Sequence, residues 1–164
     1  MIFITLGSQK FPFDRLLRMM DQLAANGLQH DIFAQTGAST YTPAHFPCKA
    51  FLDADEYNAN MQRADIVITH GGTGAIIGAV KRGKKVIAIP RLARFGEHVD
   101  DHQLQIVRTF ADLSLILPCE DLEHLGQKLQ EVEQMTFRSY QSNTKTIVNS
   151  IDEYISSQFP AGRA

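Results

Sequence analysis

Ile66-Val67-Ile68-Thr69-His70-Gly71-Gly72-Thr73-Gly74-Ala75-Ile76 decides the fold. A β-branched apolar run stops at a His-Gly-Gly-Thr-Gly turn, and small and apolar residues continue at helical spacing through Val80. That order predicts a strand, a glycine turn and a helix starting near Thr73. The three glycines among residues 71–74 carry no Cβ, so main-chain N–H groups can approach a ligand closely. The helix brings unpaired N–H donors and the positive end of its dipole to the same place. Together these predict a phosphate or diphosphate site. The competing reading is a tight β–α turn whose glycines serve packing alone. No Gly-Lys-Ser/Thr follows, so the turn is not a P-loop. A dinucleotide fingerprint would put its third glycine at Ile77, whereas glycine arrives at Gly78.

Working outward, Ile2 to Leu6 reads as a strand, with Gly7-Ser8 opening a second glycine-bearing turn. Phe13, Leu16, Leu17, Met20 and Leu23 repeat at helical spacing until Asn26-Gly27 ends the helix. His30 to Gln35 and Lys49 to Leu52 are short strands, and Asp53 or Asp55 caps a helix through Ala64. Downstream, Lys85 to Ile89 is a strand stopped by Pro90, and a polar loop leads to a helix from Asp100 to Phe110. Ser114 to Leu117 is the last strand and Glu120 to Glu133 a helix. Arg138 to Phe159 closes as a helix striped by Tyr140, Ile147, Ile151, Tyr154 and Ile155. Packing on the chain's own sheet is the main expectation for that stripe, and crossing to a partner the alternative. Residues 1–159 thus read as one domain and 160–164 as a frayed tail.

Strands that are apolar throughout and alternate with helices predict an α/β fold, a Rossmann-like parallel sheet with helices on both faces. Such sheets bind ligands beyond the carboxyl ends of their strands. Both glycine turns and the loop after Ile89 belong to that edge.

The 164 residues suit one domain with a real core, and 44% of them are apolar. A net charge of −2 argues against a basic nucleic-acid surface. Cys48 and Cys119 stand far apart without Cys-x-x-Cys spacing and read as buried thiols of a reducing cytoplasm. Met1 to Gly7 reads as a core strand rather than a signal peptide, and no segment is long and apolar enough to span a bilayer.

The densest polar cluster is Arg94-Phe95-Gly96-Glu97-His98-Val99-Asp100-Asp101-His102-Gln103. It can recognise a sugar, carboxylates accepting from hydroxyl pairs while Gln and His supply mixed donors and acceptors. Alternatively, His98 and His102 bind a metal with Glu97 or Asp101 in a metal-dependent hydrolase. The Glu that follows the first His of a hydrolytic zinc helix is missing. The plain alternative is a solvated helix start with Asp100 and Asp101 favoured by the dipole. His70 is either a packed strand end or a ligand contact.

These stretches resemble the glycosyltransferase family 28 C-terminal domain, the donor-binding half of GT-B enzymes. The resemblance rests on Gly7-Ser8, Phe51-Leu52, Ala64 to Ile68, Thr69-His70-Gly71-Gly72-Thr73-Gly74, Gly83 to Arg91, and Gly96 to Gln103. It runs from Met1 to about Ile155 and implies a single GT-B half-domain. Free-standing members of that family serve two-part transferases of dolichol-linked oligosaccharide and of bacterial capsule and exopolysaccharide synthesis. The resemblance implies a UDP-sugar donor, a lipid-linked sugar acceptor and a membrane-associated subunit that binds the acceptor. It places this chain in the cytoplasm, peripheral to the membrane through that partner. It implies that Gly7, Ser8 and residues Gly71, Gly72, Thr73 and Gly74 meet the diphosphate, that the Phe51-Leu52 main chain faces uracil, and that Glu97, His98, Asp101 and Gln103 meet the sugar. Glu97 and His98 are this chain's candidates for the base; the rival reading is a non-catalytic module that only binds a nucleotide-sugar. Amides at the Thr73 helix end would stabilise departing UDP, so no metal and no cofactor beyond the donor are expected. Many members carry a ribose-binding Glu where this chain has Gly78.

Overall fold

The computed structural model describes residues 1–158; the expected frayed tail, 160–164, lies outside the described residues. Six strands form one all-parallel sheet: β1 (Ile2–Thr5), β2 (Ile32–Gln35), β3 (Cys48–Lys49), β4 (Ile66–His70), β5 (Lys85–Ile89) and β6 (Leu117–Pro118). Their order is β3-β2-β1-β4-β5-β6. The connection reverses direction between β1 and β4, so the switch point of the sheet falls between the two glycine turns. In register, Thr5 stands beside Thr69, and the Thr69 hydroxyl donates to the Thr5 carbonyl at 2.8 Å.

Alternate residues of the central strands feed two separate cores. Ile2, Ile4, Ile66, Ile68, Ile87 and Ile89 face α1 (Asp14–Ala25) and α5 (Leu125–Gln134) through Leu16, Leu17, Met20, Leu125 and Leu129. Phe3, Val67, Val86 and Ala88 face α2 (Ala54–Arg63), α3 (Thr73–Val80) and α4 (His102–Asp112) through Met61, Ile76, Ala79 and Val107. Helices therefore cover both faces, as the unalternating apolar strands predicted.

Local signals set several ends. Asp53 caps α2 in a full capping box: its side chain accepts from the Glu56 N–H while the Glu56 carboxylate accepts from the Asp53 N–H. The loop from Thr36 to Pro47 is tied down by buried Asp21. Burial alone would raise that carboxyl's pKa, but the Tyr41 hydroxyl and the Ala44 and His45 amides donate to it and hold it at about 2.

Several expectations shift. The strand expected over Lys49 to Leu52 is only Cys48–Lys49, so Phe51 and Leu52 leave the sheet. The last strand is Leu117–Pro118 rather than Ser114 to Leu117, because Ser114 takes a left-handed turn at φ 57°. Cys119 is buried, its thiol pushed up to about 11 by that burial, but Cys48 is only half-buried. The closing helix, α6, is Thr144–Gln158 and its stripe lies on neither face: Ile147, Ile151, Tyr154 and Ile155 are 49–65% exposed. Tyr140 precedes it and packs at the edge of the second core.

Candidate functional site

A cleft of about 850 Å³ opens over the carboxyl ends of the strands, within the size range of small-molecule sites. Gly7, Ser8, Leu52, His70, Gly71, Gly72, Thr73, Gly74, His98 and Gln103 line it, so four distant pieces of sequence converge. The lining also includes Gln35, Tyr57, Asn58 and His102, of which only His102 drew attention in the sequence. Phe51, Glu97 and Asp101 do not line it. Phe51 is half exposed. The Asp101 carboxylate turns back to accept from the Ala93 N–H at 2.8 Å.

The glycines divide by role. A Cβ on Gly72 would stand 2.0 Å from His70 Cε1, and one on Gly7 would stand 2.6 Å from His70 Nε2. These two glycines make room for the imidazole, which is clasped between the two turns. A Cβ on Gly71 would meet Gln103 Cβ at 2.7 Å. Of the glycines in the two turns, Gly74 is the open one, with nothing within 4 Å of its Cβ position. Packing therefore explains two of the three glycines of residues 71–74, and free approach to the cleft explains the third.

The same division holds for the N–H groups. Gln103 is buried, and its side-chain oxygen accepts from the Gly71 amide at 2.9 Å and the Arg91 amide at 3.1 Å. It staples the end of β4 to the end of β5, and the Gly71 donor is spent on it. Gly72 caps α3 without a side-chain hydrogen bond. The Thr73, Gly74 and Ala75 amides of the first turn have no intrahelical acceptor, and all three residues line the cleft.

His70 is 8% exposed, and its Nδ1 has no partner among the described residues. Burial, then the nearby Arg91 and His98, lower its pKa to about 4. The ring is neutral at pH 7, and its unpartnered Nδ1 is buried. Arg91 was not legible as a site residue. It is fully buried, donates from Nη2 to the Leu6 carbonyl at 2.8 Å, and lies over the Phe13 ring at 5.4 Å from its centroid. Nε and Nη1 have no partner among the described residues. A cation fixed behind both turns adds positive potential to the cleft floor.

Glu97, expected to be catalytic, is engaged on both carboxylate oxygens. It is 3% exposed; Oε1 accepts from Arg15 Nε at 2.7 Å, and Oε2 accepts from the Leu92 amide at 3.1 Å. Arg15 also donates to the Pro90 carbonyl at 2.9 Å. The pair pins the polar loop to α1 and keeps Glu97 out of the cleft. His98 does line it, with its ring 5.2 Å from Phe11. Asp100, rather than Glu97 or Asp101, is the carboxylate that meets both His98 and His102.

An open, doubly wound parallel sheet with an uncapped helix start at its switch point is the anatomy of an α/β domain that takes its ligand in that crevice. The chain belongs to the glycosyltransferase family 28 C-terminal domain, whose family model matches residues 1–157. It is 26% identical over 119 residues to a human protein, UDP-N-acetylglucosamine transferase subunit ALG13. That match covers 65% of this chain but spans only 10% of the human protein's length. Among solved structures, MurG of Acinetobacter baumannii matches 81% of this chain and 41% of its own, at TM-score 0.57 and 19% identity. A solution structure of ALG13 matches 92% of this chain and 93% of its own, at TM-score 0.56 and 15% identity. These structural likenesses establish the shared fold.

Proposed function

We propose that this chain is the donor-binding, catalytic subunit of a transferase that moves a sugar from UDP to a lipid-linked acceptor in polysaccharide synthesis. One observation carries the proposal. In a family 28 domain, the unspent first-turn amides of α3 and the side chain of a neutral His70 line one nucleotide-sized cleft. The subunit name of the human relative supports the same reading.

In the proposed reaction the acceptor hydroxyl attacks the anomeric carbon while the bond from that carbon to the UDP β-phosphate oxygen breaks. Negative charge grows on the departing diphosphate. The Thr73, Gly74 and Ala75 amides, the α3 dipole and the buried Arg91 charge stabilise it without a metal. His98 takes the acceptor proton when this chain supplies the base. Gly78 offers ribose no side chain, but Asn58, which lines the cleft and accepts from Arg82 Nη2 at 3.0 Å, presents an amide on that side.

The half-exposed stripe of α6 and a cleft with one wall fit a membrane-associated partner that brings the acceptor. The chain then works at the cytoplasmic face of the membrane through that partner. No helix of the described residues is long and apolar enough to cross a membrane.

Calorimetric titration with UDP, UDP-sugars, ADP and GDP tests the donor assignment. The uridine nucleotides should bind one per chain and the purine nucleotides markedly more weakly. Equal affinity for all of them, or no binding of UDP, would overturn it.

A further inference from the structure

Asp100 sits between two imidazoles in the His98-Val99-Asp100-Asp101-His102 stretch. Its Oδ1 lies 3.4 Å from His98 Nδ1 and also contacts His102 Nδ1. One ligand-type atom from each of the three residues falls within 4.8 Å of the others. The two rings meet edge-on with centroids 4.6 Å apart, and Phe11 backs the His98 ring. His98 is the fixed member, its side chain 9% exposed, whereas His102 is about half exposed and free to adjust.

We infer that His98, Asp100 and His102 form a binding site for a divalent cation of the zinc, cobalt or nickel type. Two imidazole nitrogens with one carboxylate oxygen are a borderline donor set, which favours these ions over magnesium and calcium. Bonds of about 2.0–2.2 Å put tetrahedral ligand atoms roughly 3.3–3.5 Å apart. Side-chain rotations about Asp100 and His102 are enough to bring the cluster there. On binding, each neutral ring carries its proton on Nε2, leaving Nδ1 to the ion. Three protein ligands leave a fourth position open, and His98 and His102 both line the cleft. Water or an anionic oxygen from a cleft ligand takes that place.

The ion site is independent of the diphosphate site, since neither the first turn of α3 nor His70 takes part in it. An ion on His98 also withdraws that ring from proton transfer, so zinc would inhibit the reaction proposed above.

The test uses the full chain without nucleotide. Cobalt(II) should bind one per chain with the intense visible absorption of low-coordinate cobalt, zinc should displace it, and excess magnesium should not. His102→Ala and Asp100→Asn should each weaken zinc binding at least about tenfold, with folds verified by circular dichroism. His124→Ala, which alters a histidine outside the cleft, should leave it unchanged. A cobalt spectrum that stays that of the hydrated ion, or a His102→Ala protein that holds zinc as tightly as the wild type, would overturn the site. Nucleotide binding decides neither outcome.

Discussion

Replacing Gly74 by leucine should abolish uridine-nucleotide binding and leave the protein at least as stable as before. The first half follows from position. Gly74 lines the cleft, its Cβ direction is empty, and its amide is one of the three unspent donors at the start of α3. A leucyl group there fills the space over those amides and keeps a diphosphate from reaching them. The loss should be at least a hundredfold, about 2.7 kcal/mol of binding free energy. The second half follows from backbone entropy. Gly74 is helical and outside the left-handed region, so leucine removes a glycine penalty of up to about 1 kcal/mol without strain. Calorimetry and a thermal melt on the same sample separate the two effects. Gly72→Ala is the contrasting variant. Its methyl would strike the His70 ring, so loss of binding there would mix a displaced histidine with a blocked site.

Removing Glu97 should lower stability by about 2–3 kcal/mol in the alanine variant, because breaking a largely buried charge pair from one side leaves the other charge poorly compensated. Arg15, itself about a fifth exposed, would lose its 2.7 Å acceptor, and the buried Leu92 amide its 3.1 Å acceptor. Urea unfolding should show an earlier midpoint with an unchanged slope. Glu97→Gln keeps an acceptor for Arg15 and should cost less. An alanine variant with an unmoved midpoint would return Glu97 to the catalytic role its sequence suggests.

These two residues show what was legible in the sequence and what was not. The β4–turn–α3 unit could be read directly, because an apolar β-branched run, a glycine turn and helical spacing are all local signals. The parallel sheet followed from strands apolar on both faces. That three segments meet at one sheet edge also followed, from chain direction alone.

The division of labour within the glycines was hidden. Gly71 and Gly72 answer to Gln103 and His70, and only tertiary packing brings Gln103 up to the turn. The same is true of the Arg91 guanidinium, which reads as a loop cation but lies fully buried behind both turns. Glu97 and Asp101 look like sugar ligands in a polar run. The Glu97 carboxylate is turned inward to Arg15 and the Asp101 carboxylate is taken by the Ala93 amide, contacts set by the fold rather than by spacing. The start of α4 moved for a related reason. Asp101 spends its side chain on Ala93, and Asp100 accepts from the His102 amide, so the helix begins at His102. The stripe of α6 was legible as amphipathic, but periodicity cannot say whether the chain itself supplies the opposite surface.

An amide-resolved NMR titration with UDP tests the account most directly. If the open end of α3 grips a diphosphate, the largest shifts should fall on the Thr73, Gly74 and Ala75 amides and the His70 ring. The Gly71 amide, already held by Gln103, should move less. Saturating UDP that leaves those signals in place, or shifts only residues away from the carboxyl edge of the sheet, would contradict it.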